Sequence, residues 1–416
     1  MYKSVKIRLE LSNVQASKCL QHAGTARHAY NYFVNFCREK YSAGEKIPSA
    51  IDMHKILVAF VKKECPWYYE SSKCAPQQAL RNLETAYKNF HRIQKPSGYK
   101  LLNYKMVGGV RKSIGLAGLP QFKQRGFKDS FFLEGAIQVL GNKIKVPKLG
   151  WLTCSEMLPD VPIKNVTISR TANDWYIAFK YEFVPEHTKK NQDTVGVDLG
   201  IKTLATLSNG ETFTNLKPYK NAKLKLRKAQ KELSRRHVKG AKSQSSNYAK
   251  SRMKVAKIHQ TVANIRKDGL HKLTTYLAKN FETVCIEDLN VSGMTKNHKL
   301  ASAILDGGFF EFKRQLLYKK EWYGGTLVLA NTFFPSSKLC SHCGERKKTL
   351  KLSERSYNCE SCGAIEDRDS NASLNLNNLA VSSTVTAFGD ESSAKTKVSA
   401  QFVDELGIKH QMFTFV

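Results

Sequence analysis

The segment from Thr194 to Thr214, TVGVDLGIKTLATLSNGETFT, determines how the second half of this 416-residue chain is interpreted. An apolar run, a glycine turn, an alternating run and the dipeptide Asn209-Gly210 follow one another, and this order predicts strands joined in a hairpin. Asp198 lies at the end of the first strand, whose apolar residues predict that it is buried. Because a buried carboxylate without a partner is costly, this acid marks a candidate site at the end of that strand.

Two further acids lie at the ends of predicted elements downstream. Glu287 ends a short apolar strand in TVCIEDLN, and Asp369 opens DSNASLNL, a pattern typical of a helix start. Carboxylates at the exposed ends of buried strands suit hard divalent cations. Three converging carboxylates can hold two such ions roughly 3.5–4 Å apart for phosphodiester hydrolysis. We therefore predict that Asp198, Glu287 and Asp369 are the catalytic residues and bind Mg²⁺ or Mn²⁺, with two ions in the site.

Each acid taken alone has a simpler interpretation. An aspartate near a glycine is common in turns, and Asp369 can be a helix N-cap. Asp288 is expected on the opposite strand face from Glu287. Asp367 can pair with Arg368 or support the metal site. The combination of three acids on strand, strand and helix is more specific than any one of them.

Four of the ten cysteines follow the spacing C-x2-C-x15-C-x2-C. They are Cys340, Cys343, Cys359 and Cys362. Four thiolates in two knuckles suit one tetrahedral Zn²⁺, and because the protein fills every ligand position the ion is predicted to be structural. Gly344 and Gly363 allow the tight knuckle turns. The remaining cysteines are dispersed among apolar neighbours and are predicted to be small buried side chains: Cys19, Cys37, Cys65, Cys74, Cys154 and Cys285.

The chain carries a formal net charge of +32, which favours a polyanionic partner, most plausibly nucleic acid. An anionic membrane is the rival, but the sequence has no apolar run of about 18 residues. Half of the net positive charge lies in residues 217–272, which contain 18 Lys and Arg residues and two acidic residues. This segment predicts two helices that line a nucleic-acid channel. The candidate nucleic-acid-binding residues are Lys202, Lys223, Lys225, Arg227, Lys228, Arg235, Arg236, Arg252, Lys254, Lys257, Arg266, Lys272 and Lys338.

The first half predicts a strand, then helices from about residue 15 to residue 92, then a series of strands. We expect a β-barrel from residues 1–14 and 105–185, with a helical domain, 15–104, inserted in it. The second half divides into a nuclease domain, 193–335, with a basic helical hairpin at 217–280; a zinc ribbon, 336–366; and a return to the nuclease domain, 367–380. Residues 381–416 are rich in Ser and Thr and are expected to form a flexible tail.

Several motifs resemble those of the OrfB/TnpB proteins encoded by insertion sequences, which are relatives of the type V CRISPR effectors. The similar stretches in the second half are GVDLGIKTLATLSNG, IEDLN, PSSKLCSHCG, YNCESCG and DRDSNASLNL; QQALRNLETAYKNF and IKVPKLG extend the resemblance upstream. The resemblance covers roughly residues 1–380. It implies an α/β and α+β multidomain protein with an RNase H-like (RuvC) mixed sheet, an inserted zinc ribbon and an N-terminal wedge-like barrel of the oligonucleotide-binding kind.

The resemblance also implies the activity: RNA-guided cleavage of DNA with Asp198, Glu287 and Asp369 as the acidic triad. Its partners would be a guide RNA and a double-stranded target DNA, bound by a monomer or homodimer, and a membrane would not be a partner. The location would be the cytoplasm, at the nucleoid, in a prokaryotic or phage-encoded setting.

Two other functions fit the same residues. A DNA-cleaving transposase acting directly on element ends would use the same three acids without RNA. A regulator without nuclease activity would use only the zinc ribbon and the basic surfaces to occupy DNA. Motifs remain hypotheses until their structural context is known.

Overall fold

A computed structural model describes residues 1–94, 101–107, 110–126, 128–241, 243–350 and 354–389. These residues form two compact units, the first ending at Phe183 and the second beginning at Val184. The chain is thus a mixed α/β multidomain protein, with several sheets accompanied by helices.

The first unit is built on a seven-stranded sheet. Its strands are β1 (Tyr2–Glu10), β4 (Ser130–Glu134), β5 (Gln138–Leu140), β6 (Lys143–Val146), β7 (Gly150–Cys154), β8 (Asn165–Thr171) and β9 (Asp174–Glu182). The strands β2 (Leu102–Val107) and β3 (Val110–Leu116) pair with each other in a separate two-stranded sheet. The sheet order is β4-β8-β9-β1-β7-β6-β5. β1 runs antiparallel to β9, with Tyr2 opposite Glu182 and Leu9 opposite Trp175. The prediction that the first strand joins the later strands is confirmed.

The helices of the first unit lie between β1 and the later strands, as predicted. They are α1 (Asn13–Ser42), α2 (Ala50–Ile56), a π-helical turn (Leu57–Val61), α3 (Lys62–Glu64), a 3₁₀ turn (Pro66–Glu70) and α4 (Cys74–Gln94). Ser12 starts α1 with a capping box, in which its hydroxyl accepts the N–H of Gln15 and the Gln15 side chain accepts the N–H of Ser12. Residues of helices and sheet share one apolar core, which includes Phe33 and Leu83 from helices and Ile177 from β9.

A five-stranded mixed sheet organises the second unit. Its strands are β10 (Gln192–Leu199), β11 (Thr203–Leu207), β12 (Thr212–Thr214), β13 (Phe281–Glu287) and β14 (Thr326–Ala330). The order is β12-β11-β10-β13-β14. β10, β13 and β14 are parallel, whereas β11 and β12 continue from β10 as an antiparallel meander, which confirms the predicted hairpin. The carboxyl ends of the three parallel strands therefore lie along one sheet edge, where α/β proteins commonly bind ligands.

Helices cover both faces of this sheet. The helices of the second unit are α5 (Pro218–Arg236), α6 (Ser246–Asn280), α7 (Val291–Met294), α8 (Ala301–Gly307), α9 (Phe309–Tyr323) and α10 (Arg368–Gly389). Strands β15 (Ser356–Asn358) and β16 (Ile365–Asp367) form a separate two-stranded sheet. Leu277 of α6 and Phe312 of α9 belong to the core on one face. Leu376 and Ala380 of α10 pack with Cys285 and Ala330 on the other. None of the described helices has the length and apolar character needed to cross a membrane.

Helix α10 approaches β10 unusually closely at Gly196. A Cβ atom built on Gly196 would lie 2.0 Å from the Ser373 carbonyl oxygen and 2.4 Å from the Asn377 nitrogen. Only a residue without a side chain fits there, because both contacts are with helix backbone.

Helix α10 also extends further than the sequence suggested. It continues to Gly389, so residues 381–389, which the sequence analysis assigned to a flexible tail, are helical. Ser, Thr and Val have modest helix propensity, but they continue a helix that tertiary packing has already formed. The rest of the predicted tail, 390–416, lies outside the described residues.

Candidate functional site

The first two predicted acids lie side by side at the carboxyl edge of the sheet. Val197 of β10 pairs with Ile286 of β13, so Asp198 and Glu287 are the next residues on neighbouring parallel strands. Asp369 lies in the first turn of α10, the helix that packs against β10 at Gly196. Strand, strand and helix thus bring the three acids to one place, although they are far apart in sequence.

The electrostatics of Asp198 show how close these acids are. Its burial, followed by the negative charges of Glu287 and Asp369, raises the pKa of Asp198 to about 7, while Arg368 opposes the shift. All three acids are half-buried. Among the described residues, however, their oxygen atoms do not all meet within 4.8 Å of one another. The three carboxylates are therefore near one another without all meeting at one point, and a divalent cation between them would relieve their repulsion.

Side chains around the acids orient them, and one of these was not predicted. Ser336, which is 2% exposed, donates a hydrogen bond from its hydroxyl to Glu287. Asp288 is turned away to an ion pair with Lys313, with 2.6 Å between Oδ1 and Nζ. Ser336 lies in a loop without periodicity, so no sequence pattern marked it.

The helix that carries Asp369 is capped by a different aspartate. Asp367 Oδ1 accepts the backbone N–H groups of Asp369 at 2.9 Å and of Ser370 at 3.2 Å. The N-cap interpretation therefore applies to Asp367, and the Asp369 carboxylate is not needed for capping. Its Oδ1 lies 3.9 Å from Nη1 of Arg355.

The four predicted zinc ligands form a cluster. All four Sγ atoms lie within 4.8 Å of one another, and the pairs Cys340–Cys362 and Cys343–Cys359 are both 3.6 Å apart. Tetrahedral Zn²⁺ with Zn–S bonds of about 2.3 Å places sulfur atoms roughly 3.8 Å apart, so the cluster fits the ion. The two knuckles are alike: Gly344 and Gly363 have φ of +76° and +75°, and their N–H groups bind the Cys340 and Cys359 carbonyls.

The other cysteines behave differently from this cluster. Cys19, Cys37, Cys74, Cys154 and Cys285 are buried, and Cys65 is partly buried. Burial raises the pKa of the Cys19 and Cys285 thiols to about 12, so both remain protonated at neutral pH. The prediction of small buried side chains is confirmed for five of the six.

Two buried asparagines of α10 connect the cysteine ribbon to the acidic site. Asn371 donates from Nδ2 to the Leu339 carbonyl at 2.7 Å and accepts the Ser341 N–H at 2.9 Å. Asn375 donates to the carbonyls of Ser336 and Leu339, both at 2.8 Å. The loop that holds Ser336 against Glu287 and the first knuckle are thus fixed by the same helix that carries Asp369.

The predicted basic helices form a hairpin, α5 and α6, around a narrow apolar seam. Leu226 and Ala229 of α5 pack on Ile258 of α6, which leaves the charged side chains outside. Eleven of the thirteen candidate nucleic-acid-binding residues are exposed, and Arg266 and Lys338 are half-buried. Three of the exposed ones pair with acids inside the hairpin: Arg236 and Lys254 with Glu232, and Lys272 with Asp268.

Asp306 holds the start of this hairpin. It is 4% exposed, and its carboxylate accepts the backbone N–H groups of Tyr219 and Lys220, at the amino end of α5, at 3.0–3.1 Å. Arg266 of α6 donates from Nη2 to Asp306 Oδ1 at 2.9 Å. Its guanidinium thus links α6 and α8, a structural contact that the charge pattern did not reveal. A carboxylate at a helix amino terminus is stabilised by the helix dipole.

Three family models match successive parts of the chain. A "Helix-turn-helix domain" of the OrfB_IS605 type matches residues 1–46, the OrfB_IS605 "Probable transposase" model matches residues 178–298, and the "Cas12f1-like, TNB domain" model matches residues 309–376. In the structure the first of these regions comprises strand β1 and the long helix α1. The third spans α9, the cysteine cluster and the start of α10.

Whole-length relatives agree with these models. The Escherichia coli K12 protein named "Putative RNA-guided DNA endonuclease InsQ" is 32% identical over 411 residues, covering 93% of this chain and 94% of that protein. A Streptomyces pristinaespiralis protein named "Putative RNA-guided DNA endonuclease" is 34% identical over 391 residues, covering 93% and 91%. A solved Cas12f1–sgRNA–target DNA complex aligns with a TM-score of 0.48 at 13% identity, covering 91% of this chain and 98% of that one. Because the two relatives are 32% and 34% identical over more than nine tenths of both chains, this chain belongs to the OrfB/TnpB family of RNA-guided DNA endonucleases encoded by transposable elements.

Proposed function

We propose that this protein hydrolyses phosphodiester bonds of DNA at Asp198, Glu287 and Asp369, using divalent metal ions and a guide RNA to select the target. The observation that carries the proposal is that two parallel strands and α10 bring the three acids together. Burial, followed by the charges of Glu287 and Asp369, raises the pKa of Asp198 to about 7. Three acids that repel one another at the open end of a parallel sheet form a site for cations. Family membership supplies the substrate and the guide.

The proposed ligands of the catalytic ions, Mg²⁺ or Mn²⁺ and two in number, are these three carboxylates. When bound, such ions lower the pKa of a water molecule and stabilise the leaving oxygen. The chain itself orients the ligands: Ser336 holds Glu287, and Asp367 fixes the first turn of α10, which carries Asp369. Lys313 keeps Asp288 away from the site.

The proposal includes a finer division of the fold. The second-unit sheet is assigned as an RNase H-like, RuvC-type sheet, spanning 193–335 and 367–380 and interrupted by the zinc ribbon, 336–366. The first-unit sheet is assigned as a wedge-like barrel, 1–14 and 105–185, with the helical recognition domain, 15–104, inserted. The mixed strand order of the second-unit sheet and the position of the ribbon between β14 and α10 support the first assignment. The position of the helices between β1 and β4 supports the insertion in the second.

The proposed partners are a guide RNA and a double-stranded target DNA, bound by a monomer or homodimer in the cytoplasm. Base pairing would read the sequence, and the protein would bind backbones through its positive surface. The excess charge of residues 217–272 and its display on the exposed sides of α5 and α6 support this role.

The test begins with the protein purified together with its co-expressed RNA. Sequencing that RNA gives the guide, and DNA with and without a matching segment is then supplied with Mg²⁺. We expect cleavage of matched DNA alone. Cleavage that ignores the guide, or persists after the RNA is removed, would contradict RNA guidance.

The description "Probable transposase" of one matching family model favours a second candidate, a transposase that cuts element ends directly. This enzyme would bind terminal DNA specifically in the absence of RNA. The same preparation, freed of RNA and offered element ends, separates the two functions.

We predict one Zn²⁺ per chain, held by the four clustered cysteines. Cys359→Ser should lower the bound zinc, measured by elemental analysis, to well below one ion per chain. Because zinc binding is coupled to local folding, amide hydrogen exchange should also increase across 336–366. Cys65→Ser, which lies outside the cluster, is the control and should keep its zinc. An equal zinc content in both variants would contradict the assignment.

The basic hairpin predicts a salt-dependent contribution to binding. Reversing two exposed charges of α5 in the double variant Arg227→Glu, Lys228→Glu should weaken DNA binding at least tenfold at low salt. The slope of log affinity against log salt should fall by about two, because each lost phosphate contact removes roughly one unit. The double variant Lys143→Glu, Lys164→Glu, at two exposed positions of the first unit, is the control for net charge. Equal losses in both proteins would show that the hairpin has no special role.

A further inference from the structure

Phe333 is the most exposed large apolar side chain of the described residues, at 90%. Its neighbour Phe334 turns the other way and packs on the core formed by Cys285, Leu376 and Ala380. Exposure alone carries little weight, because isolated apolar side chains are common on surfaces. The way Phe333 is held and the place it occupies are more informative.

The turn that carries Phe333 is held by several hydrogen bonds. Asn331 accepts two of them, from the Phe334 N–H to its carbonyl at 2.8 Å and from the Phe333 N–H to its side chain at 2.9 Å. Thr332 donates from its hydroxyl to the Asp288 carbonyl at 3.0 Å. A ring on such a turn is displayed at low conformational cost, as a binding platform requires.

This turn lies beside the proposed catalytic carboxylates. It follows β14 directly, and Ala330, the last residue of that strand, pairs with Glu287. Parallel strands are about 4.8 Å apart, so the turn is next to Glu287 and roughly two strand spacings from Asp198. Ser336, three residues after Phe333, binds the Glu287 side chain. The turn that displays the aromatic ring thus lies beside the acids proposed to cut DNA.

We infer that Phe333 forms a base-stacking site for an unpaired nucleotide of the DNA strand that enters the carboxylate site. Proteins bind single strands by stacking bases on aromatic rings, and every base offers a flat face, so the contact tolerates any sequence. Asn331 and Thr332, the preceding residues, are polar and exposed, as suits an aromatic ring beside a charged backbone and not a broad apolar interface. The inference rests on the proposed function, because it needs DNA at these acids.

The test uses the RNA-loaded protein and a single-stranded DNA oligonucleotide that contains 2-aminopurine, whose fluorescence falls when the base stacks. Without divalent cations, wild-type protein should quench the probe. Phe333→Ala should lose most of the quenching and bind about tenfold more weakly, in the range expected for one base–aromatic stack. Phe333→Trp should retain both properties. Phe60→Ala removes another exposed ring, 64% exposed in the first unit, and should behave as wild type.

Cleavage in Mg²⁺ completes the experiment, with Phe333→Ala expected to raise KM more than it lowers kcat. Quenching and affinity that are unchanged in Phe333→Ala, or lost equally in Phe60→Ala, would overturn the inference. If wild-type protein cleaves guide-matched DNA and Phe333→Ala is indistinguishable from it, the stacking site is wrong and the proposed function is unaffected. If cleavage does not depend on the guide RNA but quenching depends on Phe333, RNA guidance is wrong and the stacking site is supported.

Discussion

The Asp198→Asn variant is expected to lose DNA cleavage by about a thousandfold or more while it still binds DNA. The substitution keeps the shape of the side chain but removes one of the three charges that we propose as ligands of the catalytic ions. Ions that stabilise charge in phosphoryl transfer contribute several kcal/mol, and each 1.36 kcal/mol corresponds to tenfold in rate. Single-turnover cleavage and a binding assay on the same preparation measure the two effects separately.

The stability of this variant supplies an independent check. In the metal-free protein, burial and then the negative charges of Glu287 and Asp369 raise the pKa of Asp198, so its ionised form is unfavourable there. Removing its charge should therefore leave the metal-free fold as stable as before or slightly more stable. Asp288→Asn is the matched control: its carboxylate, 42% exposed, pairs with Lys313 and should affect cleavage only a few-fold. Cleavage that survives in Asp198→Asn would remove this acid from the catalytic centre.

The second large effect is expected from Gly196→Ala. The added methyl group would lie 2.0 Å from the Ser373 carbonyl oxygen, so α10 must move away from β10. Forced displacement of packed backbone should destabilise the second unit by about 3 kcal/mol or more. Because α10 carries Asp369, cleavage should fall together with stability. Amide hydrogen exchange in α10 measures the local free energy of opening directly.

A second glycine offers a control for the same chemical change. Gly24 lies inside α1, where an added Cβ would meet only Arg27 Nη2, at 3.7 Å. Gly24→Ala should be neutral or stabilising by up to about 1 kcal/mol, since alanine favours the helix. If Gly196→Ala proved as harmless as Gly24→Ala, α10 would not be fixed against β10 as the structure has it.

The sequence predicted the elements of the second unit well because their patterns are local. The hairpin after Asp198, the strand ending at Glu287 and the helix beginning near Asp369 each follow from apolar periodicity and turn residues. The cysteine spacing likewise defines the knuckles within a few residues. Such signals need no knowledge of the rest of the chain.

Local sequence patterns could not predict contacts between distant segments. Nothing near Ser336 indicates that its hydroxyl binds Glu287, and nothing near Asp306 indicates that it binds the amino end of α5. Phe333 and Phe334 are adjacent and identical, yet one is exposed and the other packs inward. Such roles depend on tertiary placement, which composition and periodicity do not record.

The close fit of α10 on β10 has a consequence for biosynthesis. The chain leaves the ribosome with Asp198 first, Glu287 later and Asp369 last, after both strands and the basic hairpin have been made. On the proposed assignment, an unfinished or prematurely stopped chain holds two carboxylates and most of the positive surface, but not the helix that completes the site. Such a chain would bind nucleic acid before it could cut it. On the same assignment, the order of synthesis would keep the nuclease inactive until α10 folds onto Gly196.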